Sequence, residues 1–408
     1  MRVLQLLKTS AGANWALVQC TELVRRGVEV HVAAPPGGPL LERARAAGIQ
    51  IHEAQFDFPV RQLWRLRPMI TALRALVREV DPDVVHSHFV GTTLTMRAAL
   101  RGHDPRPRIF QVPGPLHLEN GFFRRAEIAS AGPDDRWVAS CRWTQERYLR
   151  DGIPPDRVHL SYYGVDFSTI RRRPAGALRR ELGLSPDTRI VGMVAYMYAP
   201  KRYLGQRRGL KGHEDLIDAL ALVRRRSPNV IAVMVGGAWN HAVQYEAAVR
   251  RYGALRCPDG VVFLGSRTDV PSLYADFDVV CHPSLSENVG GAAESLALGV
   301  PTIATRVGGF PDVVVDGETG WLVPPANPPA LAEAIEDALR DPDEALRRTR
   351  RGEARIRQIF DVADTAAGMH AIYCDAVAAG RSAAANERRS ARTDEAHVGA
   401  RDADRRRR

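Results

Sequence analysis

The sequence predicts an α/β protein made of two doubly wound, Rossmann-like parallel-sheet domains. Three observations carry that expectation. The chain has 408 residues, too many for one hydrophobic core. Short apolar runs alternate with segments of helical period in both halves, the pattern of parallel βαβ units. An Arg-, Pro- and Gly-bearing stretch, residues 167–188, falls between the halves and reads as a linker.

In the first half, residues 2–7 (RVLQLL) read as a buried strand, and a helix LVQCTELVRRG follows, closed by Gly27. EVHVAAP (29–35) is a second strand and completes a βαβ unit with Gly12 in its first loop. The dinucleotide fingerprint GxGxxG is absent, yet a small residue there lets backbone approach a ligand at the strands' carboxyl ends. A short helix at 40–47 and a strand at 49–52 come next. Residues 62–79 form a longer helix with Leu63, Leu66, Ile70, Leu73 and Val77 on one stripe. Arg61, Trp64, Arg65 and Arg67 lie near its start, which fits either a solvated face or contact with anionic lipid headgroups. Further strands are expected at 83–89 (DVVHSHF), from Arg108, at 134–140 and at 158–166. His117 lies in a Pro/Gly turn; His86, His88 and His282 read as structural.

The second half opens with RIVGMVAY (189–196) and an unusual basic segment, 197–212. Helices are expected at 214–226, 241–252, 270–275, 328–339, 343–360 and 361–378, with strands at 229–237, 261–265, 278–281, in TIATRV and in ETGWLVPP. The stretch 281–301, CHPSLSENVGGAAESLALGVP, is a strand end, a polar turn and a helix opening on Gly290 and Gly291. Its free N–H groups and positive dipole end suit an anion, and Glu287 and Glu294 flank them. A phosphate with sugar hydroxyls on both sides would satisfy that arrangement; an ordinary strand–loop–helix connection also fits.

Hydrophobic content of 45% and charged content of 25% belong to an ordinary globular chain, and no apolar run reaches membrane-spanning length. The formal charge is +10, of which +4 comes from residues 381–408, with nine Arg against five acids. That basic tail is expected to be disordered. The charge suits anionic ligands or an acidic membrane; nucleic acid is not expected, because no recognition module is visible. Five scattered cysteines without CxxC spacing argue for a reducing compartment and against a zinc site. The expected location is the cytoplasm, with peripheral contact at the inner membrane face as an option.

Several motifs together resemble the retaining glycosyltransferases of family 4, the group 1 glycosyltransferases with the GT-B fold. They are the Gly12 loop, DVVHSH, the His117 turn, YYGVD, KGHEDLIDAL, VMVGG, FLGSRTDVPSLYADFDVVCHPS, ESLALGVPTIATRVGG and DGETGWLVPP. The resemblance runs to about residue 378. It implies two Rossmann-like domains facing each other across a cleft: 1–170 for the acceptor, completed by the helix 361–378, and 186–360 for the donor. It implies transfer of a sugar from a nucleotide-diphosphate sugar to an acceptor hydroxyl with retention, in polysaccharide, glycolipid or glycoconjugate biosynthesis. No cofactor is implied, and UDP is slightly favoured as the nucleotide. The acceptor class implied is a saccharide or lipid-linked molecule, the latter supported by Arg61, Arg65, Arg67, Arg124 and Arg125.

Residue roles follow from the same resemblance. Lys211 neutralises the departing diphosphate, Glu294 holds the ribose diol, and Glu287 faces the donor sugar. Backbone around Asn288, Val289, Gly290 and Gly291 holds sugar and phosphate. His117 stands near sugar and acceptor. Gly12, Asn14, Gly236 and Arg267 fall in donor- or acceptor-binding motifs. No metal is expected, since DFD (276–278) runs straight into a buried strand. The chain also departs from the family. Glu287 and Glu294 are one residue closer than usual, Asn14 replaces a Glu, and Tyr196 takes the place of an Arg. One of Lys201, Arg202, Arg207 and Arg208 is therefore expected to supply the missing cation, with Arg208 or Arg202 preferred. A degenerate member that binds a nucleotide sugar or partner without transfer is the alternative.

Overall fold

The computed structural model describes residues 1–202 and 205–382. The first sheet contains β1 (Arg2–Leu6), β2 (Glu29–Ala34), β3 (Gln50–Glu53), β4 (Val84–Ser87), β5 (Arg108–Val112), β6 (Asp135–Ala139) and β7 (Val158–Leu160). Their order is β3-β2-β1-β4-β5-β6-β7, with every pairing parallel. The second sheet contains β8 (Arg189–Val194), β9 (Val230–Val235), β10 (Val261–Gly265), β11 (Val279–His282), β12 (Thr302–Thr305) and β13 (Trp321–Val323). It runs β10-β9-β8-β11-β12-β13, again all parallel.

Helices cover both faces of each sheet, so the strands are apolar on both sides. In β1, Val3 packs into one core with Val30 and Val84, while Leu4 and Leu6 pack into another with Val85 and Leu73. β7 ends at Leu160, six residues before the expected end of that strand. Beyond it, Val165 bridges to Asp361, and Gly164, at φ +87°, packs on Val362. Residues 362–382 are helical, four residues longer than expected at the end. Their Ala366, Met369, Ile372 and Tyr373 enter the first domain's core beside Val3 and Ala16. Residues 381 and 382 thus belong to that helix; the expected tail from 383 onward lies outside the described residues.

Both sheets reverse strand order beside their first strand. The crevices lie between β1 and β4, and between β8 and β11. Ligands of open parallel sheets bind at such switch points, beyond the strands' carboxyl ends.

Candidate active site

In the second domain, the loop leaving β8 brings Lys211 to the crevice, and the loop leaving β11 brings Glu287. Gly212, at φ +74°, lies so close to the Pro283 carbonyl that a β-carbon would collide with it. That contact draws the two loops together. The Lys211 ammonium pairs with the Glu287 carboxylate and lies 5.6 Å from the Tyr198 ring centroid. Asn288 N–H donates to Glu287 Oε1 at 3.1 Å, which fixes the carboxylate from behind. Asn288 Oδ1 is buried without a partner among the described residues, an acceptor open to a hydroxyl.

The helix Gly290–Ala297 begins directly after this pair, and no side chain caps its N-terminus. A β-carbon at Gly291 would press on the imidazole of His282. His282 is buried, held by Ser295 Oγ at 3.1 Å, and burial lowers its pKa to about 3. It is a neutral spacer under the helix start. Glu294 faces the cavity one turn later, with Tyr274 O–H donating to it at 3.3 Å. The carboxylate is exposed on the cavity side but surrounded by protein elsewhere, and this burial raises its pKa.

Lys211 and Glu287 stand on the boundary of two adjoining cavities. One, of about 330 Å³, lies within the second domain and reaches Gly236, Arg267, Gly291 and Glu294. The other, of about 780 Å³, opens between the domains and reaches Asn288, Val289 and Gly290 from the second and Trp15, Phe89 and Tyr163 from the first. The smaller cavity presents a cation, a helix N-terminus and the carboxylate of Glu294. The larger one joins that group to the first domain.

Comparison with known proteins identifies the family. The family model for Glycosyltransferase Family 4 matches residues 13–169, and that for Glycosyl transferases group 1 matches residues 202–355. A D-inositol 3-phosphate glycosyltransferase of Corynebacterium glutamicum is 33% identical over 409 residues, covering 90% of this chain and 93% of that one. The chain belongs to the group 1 glycosyltransferases. A second relative of the same name, from Mycobacterium bovis, is 32% identical over 81% of this glycosyltransferase and 72% of its own length. Among solved structures, Anabaena Alr3699/HepE in complex with UDP-glucose superimposes with a TM-score of 0.77 at 21% identity, covering 91% of this chain and 99% of that one. Sucrose-phosphate synthase from Thermosynechococcus elongatus gives 0.75 at 21%, covering 93% and 100%. The fold of this glycosyltransferase is GT-B.

Several expected site residues lie elsewhere. Arg208 does not face the cavities: it pairs with Asp215 and, at 2.7 Å, with Asp218 on the helix His213–Val223. Arg202 is exposed and outside both cavity walls, whereas its neighbour Lys201 lines the larger one. The preference for Arg208 or Arg202 does not hold, because neither lines a cavity; of the expected cations in this segment, Lys201 lines the larger one. Its amine is pushed below the usual lysine range, first by partial burial and then by the charge of Lys8. Arg267 does line the smaller cavity, but Glu181 and Asp269 hold its guanidinium, each at 2.7 Å.

Asn14 begins the first helix and accepts from Arg43 at 2.9 Å, away from both cavity walls. Gly12, at φ +70°, faces Trp239 of the other domain; a β-carbon there would lie 3.2 Å from the indole. Gly12 thus admits an aromatic side chain from across the cleft. Gly236, at φ +124°, packs against the Ala195 carbonyl and lines the smaller cavity. The His117 ring points away from the cleft, with Nε2 at 3.2 Å from Tyr148 O–H, and burial lowers its pKa to about 4. Gly114, Pro115 and Leu116 of its turn line the cleft instead. Trp15, Tyr198 and Trp239 carry no motif, whereas Tyr163 lies in YYGVD, which gave its ring no role. The only signal for Trp15 and Trp239 was an aromatic just after a glycine loop.

Proposed function

We propose that this glycosyltransferase moves a sugar from a nucleotide-diphosphate sugar to an acceptor hydroxyl, with retention and without a metal. The observation that carries the reading is the Lys211 ammonium held by Glu287 immediately before the uncapped helix at Gly290. A diphosphate there gains a cation and free N–H groups as charge develops on it. Glu294 accepts two hydrogen bonds from the ribose diol, and Glu287 and Asn288 Oδ1 accept from sugar hydroxyls. As the diphosphate draws Lys211 to itself, Glu287 is released toward the sugar. The bond from the anomeric carbon to the β-phosphate oxygen breaks, and the acceptor oxygen bonds that carbon on the same face. The departing phosphate oxygen is the base nearest to the acceptor proton and takes it.

The donor is proposed to carry UDP, as the Anabaena neighbour's structure does. The DFD carboxylates support a metal-independent reaction. Asp276 accepts from Gly176 N–H and Leu178 N–H, and Asp278 from Arg179, Arg189 and Ile190 N–H, so these lone pairs are taken. The test is thermal stabilisation by UDP, GDP and ADP, followed by transfer assays with EDTA. UDP should stabilise strongly and EDTA should leave transfer intact. Activity abolished by EDTA and restored by manganese would overturn the metal-free part.

The proposed setting is polysaccharide, glycolipid or glycoconjugate synthesis in the cytoplasm, with peripheral contact at the inner membrane face. Val60, Leu63 and Trp64 are 76%, 60% and 73% exposed among Arg61, Arg65 and Arg67, the composition of a membrane-surface patch. Retention of the protein on anionic liposomes at low salt checks this; no retention removes it. The alternative, binding without transfer, is favoured by the ion-paired state of Arg208 and Arg267. Release of free sugar or product from the donor would exclude it.

A further inference from the structure

We infer that the acceptor side of the cleft selects a planar, uncharged apolar aglycone rather than a phosphorylated polyol. This rests on the glycosyl-transfer reading and specifies its acceptor half. Among the described residues, those of the first domain that line the larger cavity include no charged side chain. Instead, the Trp15 ring lies 4.3 Å from Tyr163 and 5.8 Å from Phe89, centroid to centroid. The platform is held from below. Tyr163 O–H lies 3.2 Å from His88 Nδ1, and His88 Nε2 lies 2.6 Å from Gln5 Oε1. His88 is fully buried, and burial lowers its pKa to about 3, so the support is neutral. Across the cleft, Trp239 packs 5.0 Å from Tyr196 and 5.5 Å from Tyr198, and reaches over to Gly12. Trp15 from the first domain and Trp239 from the second thus line one cavity of about 780 Å³, large enough for a fused-ring acceptor.

The charges near this cavity argue against a phosphate. Lys211 is held by Glu287 and is needed for the donor. Lys8 is paired with Asp57 at 3.1 Å. Lys201, on the second domain's side of the cleft, is the remaining cation among the described wall residues. A flat apolar ring requires none of these charges and buries its faces against the indoles.

The test compares two probes by equilibrium dialysis, with and without saturating UDP: 4-methylumbelliferone, a flat phenol, and D-myo-inositol 3-phosphate. The phenol should bind at least about tenfold more tightly than the inositol phosphate. Trp15→Ala and Trp239→Ala should each weaken the phenol about tenfold, with the UDP thermal shift retained as proof of folding. Two substitutions on opposite domains guard against one failing to fold. Equal or tighter binding of the inositol phosphate would overturn the inference, as would unchanged phenol affinity in both variants. Absence of any UDP shift in the wild-type protein would instead count against the donor reading, and the dialysis without UDP would still decide the acceptor class.

Discussion

The two domains have the same strand order around their switch points but opposite chemistry at them. At the β8/β11 crevice stand Lys211, Glu287, Glu294 and an uncapped helix. At the β1/β4 crevice stand Trp15, Phe89 and Tyr163, backed by the buried, neutral His88. The shared sheet supplies only position: it aims two sets of loops at one cleft. What each set can bind is decided by a few side chains on those loops. On the proposed reading, one side takes an anion whose charge grows during reaction, the other a surface without charge.

The largest effect expected from breaking this contrast is at Lys211. Lys211→Ala should lower kcat by about 10²–10³-fold, since a fixed cation at a departing diphosphate acts chiefly in the transition state. UDP should also stabilise the variant less than the wild-type protein. A kcat within about threefold of wild type would mean that the helix N-terminus carries the diphosphate without Lys211.

The next effect belongs to both domains alike. His88 and His117 in the first domain, and His213 and His282 in the second, are buried with pKa values lowered to between about 3 and 4. The unfolded chain binds their protons first, below its ordinary value near 6.5. Stability is therefore fully present above pH 6.5 and is lost as pH falls towards 4. By pH 5 each histidine should have withdrawn about 2 kcal/mol. Chemical denaturation at pH 7, 6 and 5 measures the slope; a flat profile would show that these imidazoles titrate normally.

Much of the fold was legible because parallel strands covered on both faces are continuous apolar runs, and the helices between them keep their period. The position of β11 and the helix at Gly290 could be read from DVVC and the paired glycines alone. What could not be read depends on side chains meeting across long separations. Arg208 looked like any other cation in a basic segment; only folding shows Asp215 and Asp218 beside it. The path of the segment, not its composition, turns Lys201 inward. Trp15 and Tyr163 are 148 residues apart, and before folding each is indistinguishable from an ordinary core aromatic. The end of β7 was misjudged because SYYGVD is apolar enough to continue the strand, while Gly164 turns it towards the final helix.

A smaller effect sharpens the donor side. On the proposed reading, in which Glu294 holds the ribose diol alike before and during reaction, Glu294→Gln should raise the donor KM by about tenfold and leave kcat nearly unchanged. Burial already raises the pKa of this carboxylate, so donor affinity should also fall as pH drops through that raised value. Equal losses in kcat and in kcat/KM would instead place Glu294 in the transition state.

The smallest effect on turnover is expected where the segment is most basic. Arg208 is partly exposed, and it offsets two carboxylates on the outer side of the helix His213–Val223. In Arg208→Ala, Asp218 keeps Tyr252 O–H at 2.7 Å and Arg256 Nε at 3.1 Å. Asp215 loses its ion pair; burial already raises its pKa, so it can take up a proton rather than remain as an unpaired charge. The cost should be about 1 kcal/mol of stability, discounted for the solvent that reaches the guanidinium. Because Arg208 touches neither cavity, kcat should stay within about twofold of wild type. Urea denaturation and steady-state assays on the same preparation separate the two quantities. A kcat loss comparable to that of Lys211→Ala, with stability unchanged, would move Arg208 into the site and cancel the assignment of Lys201 as the inward cation.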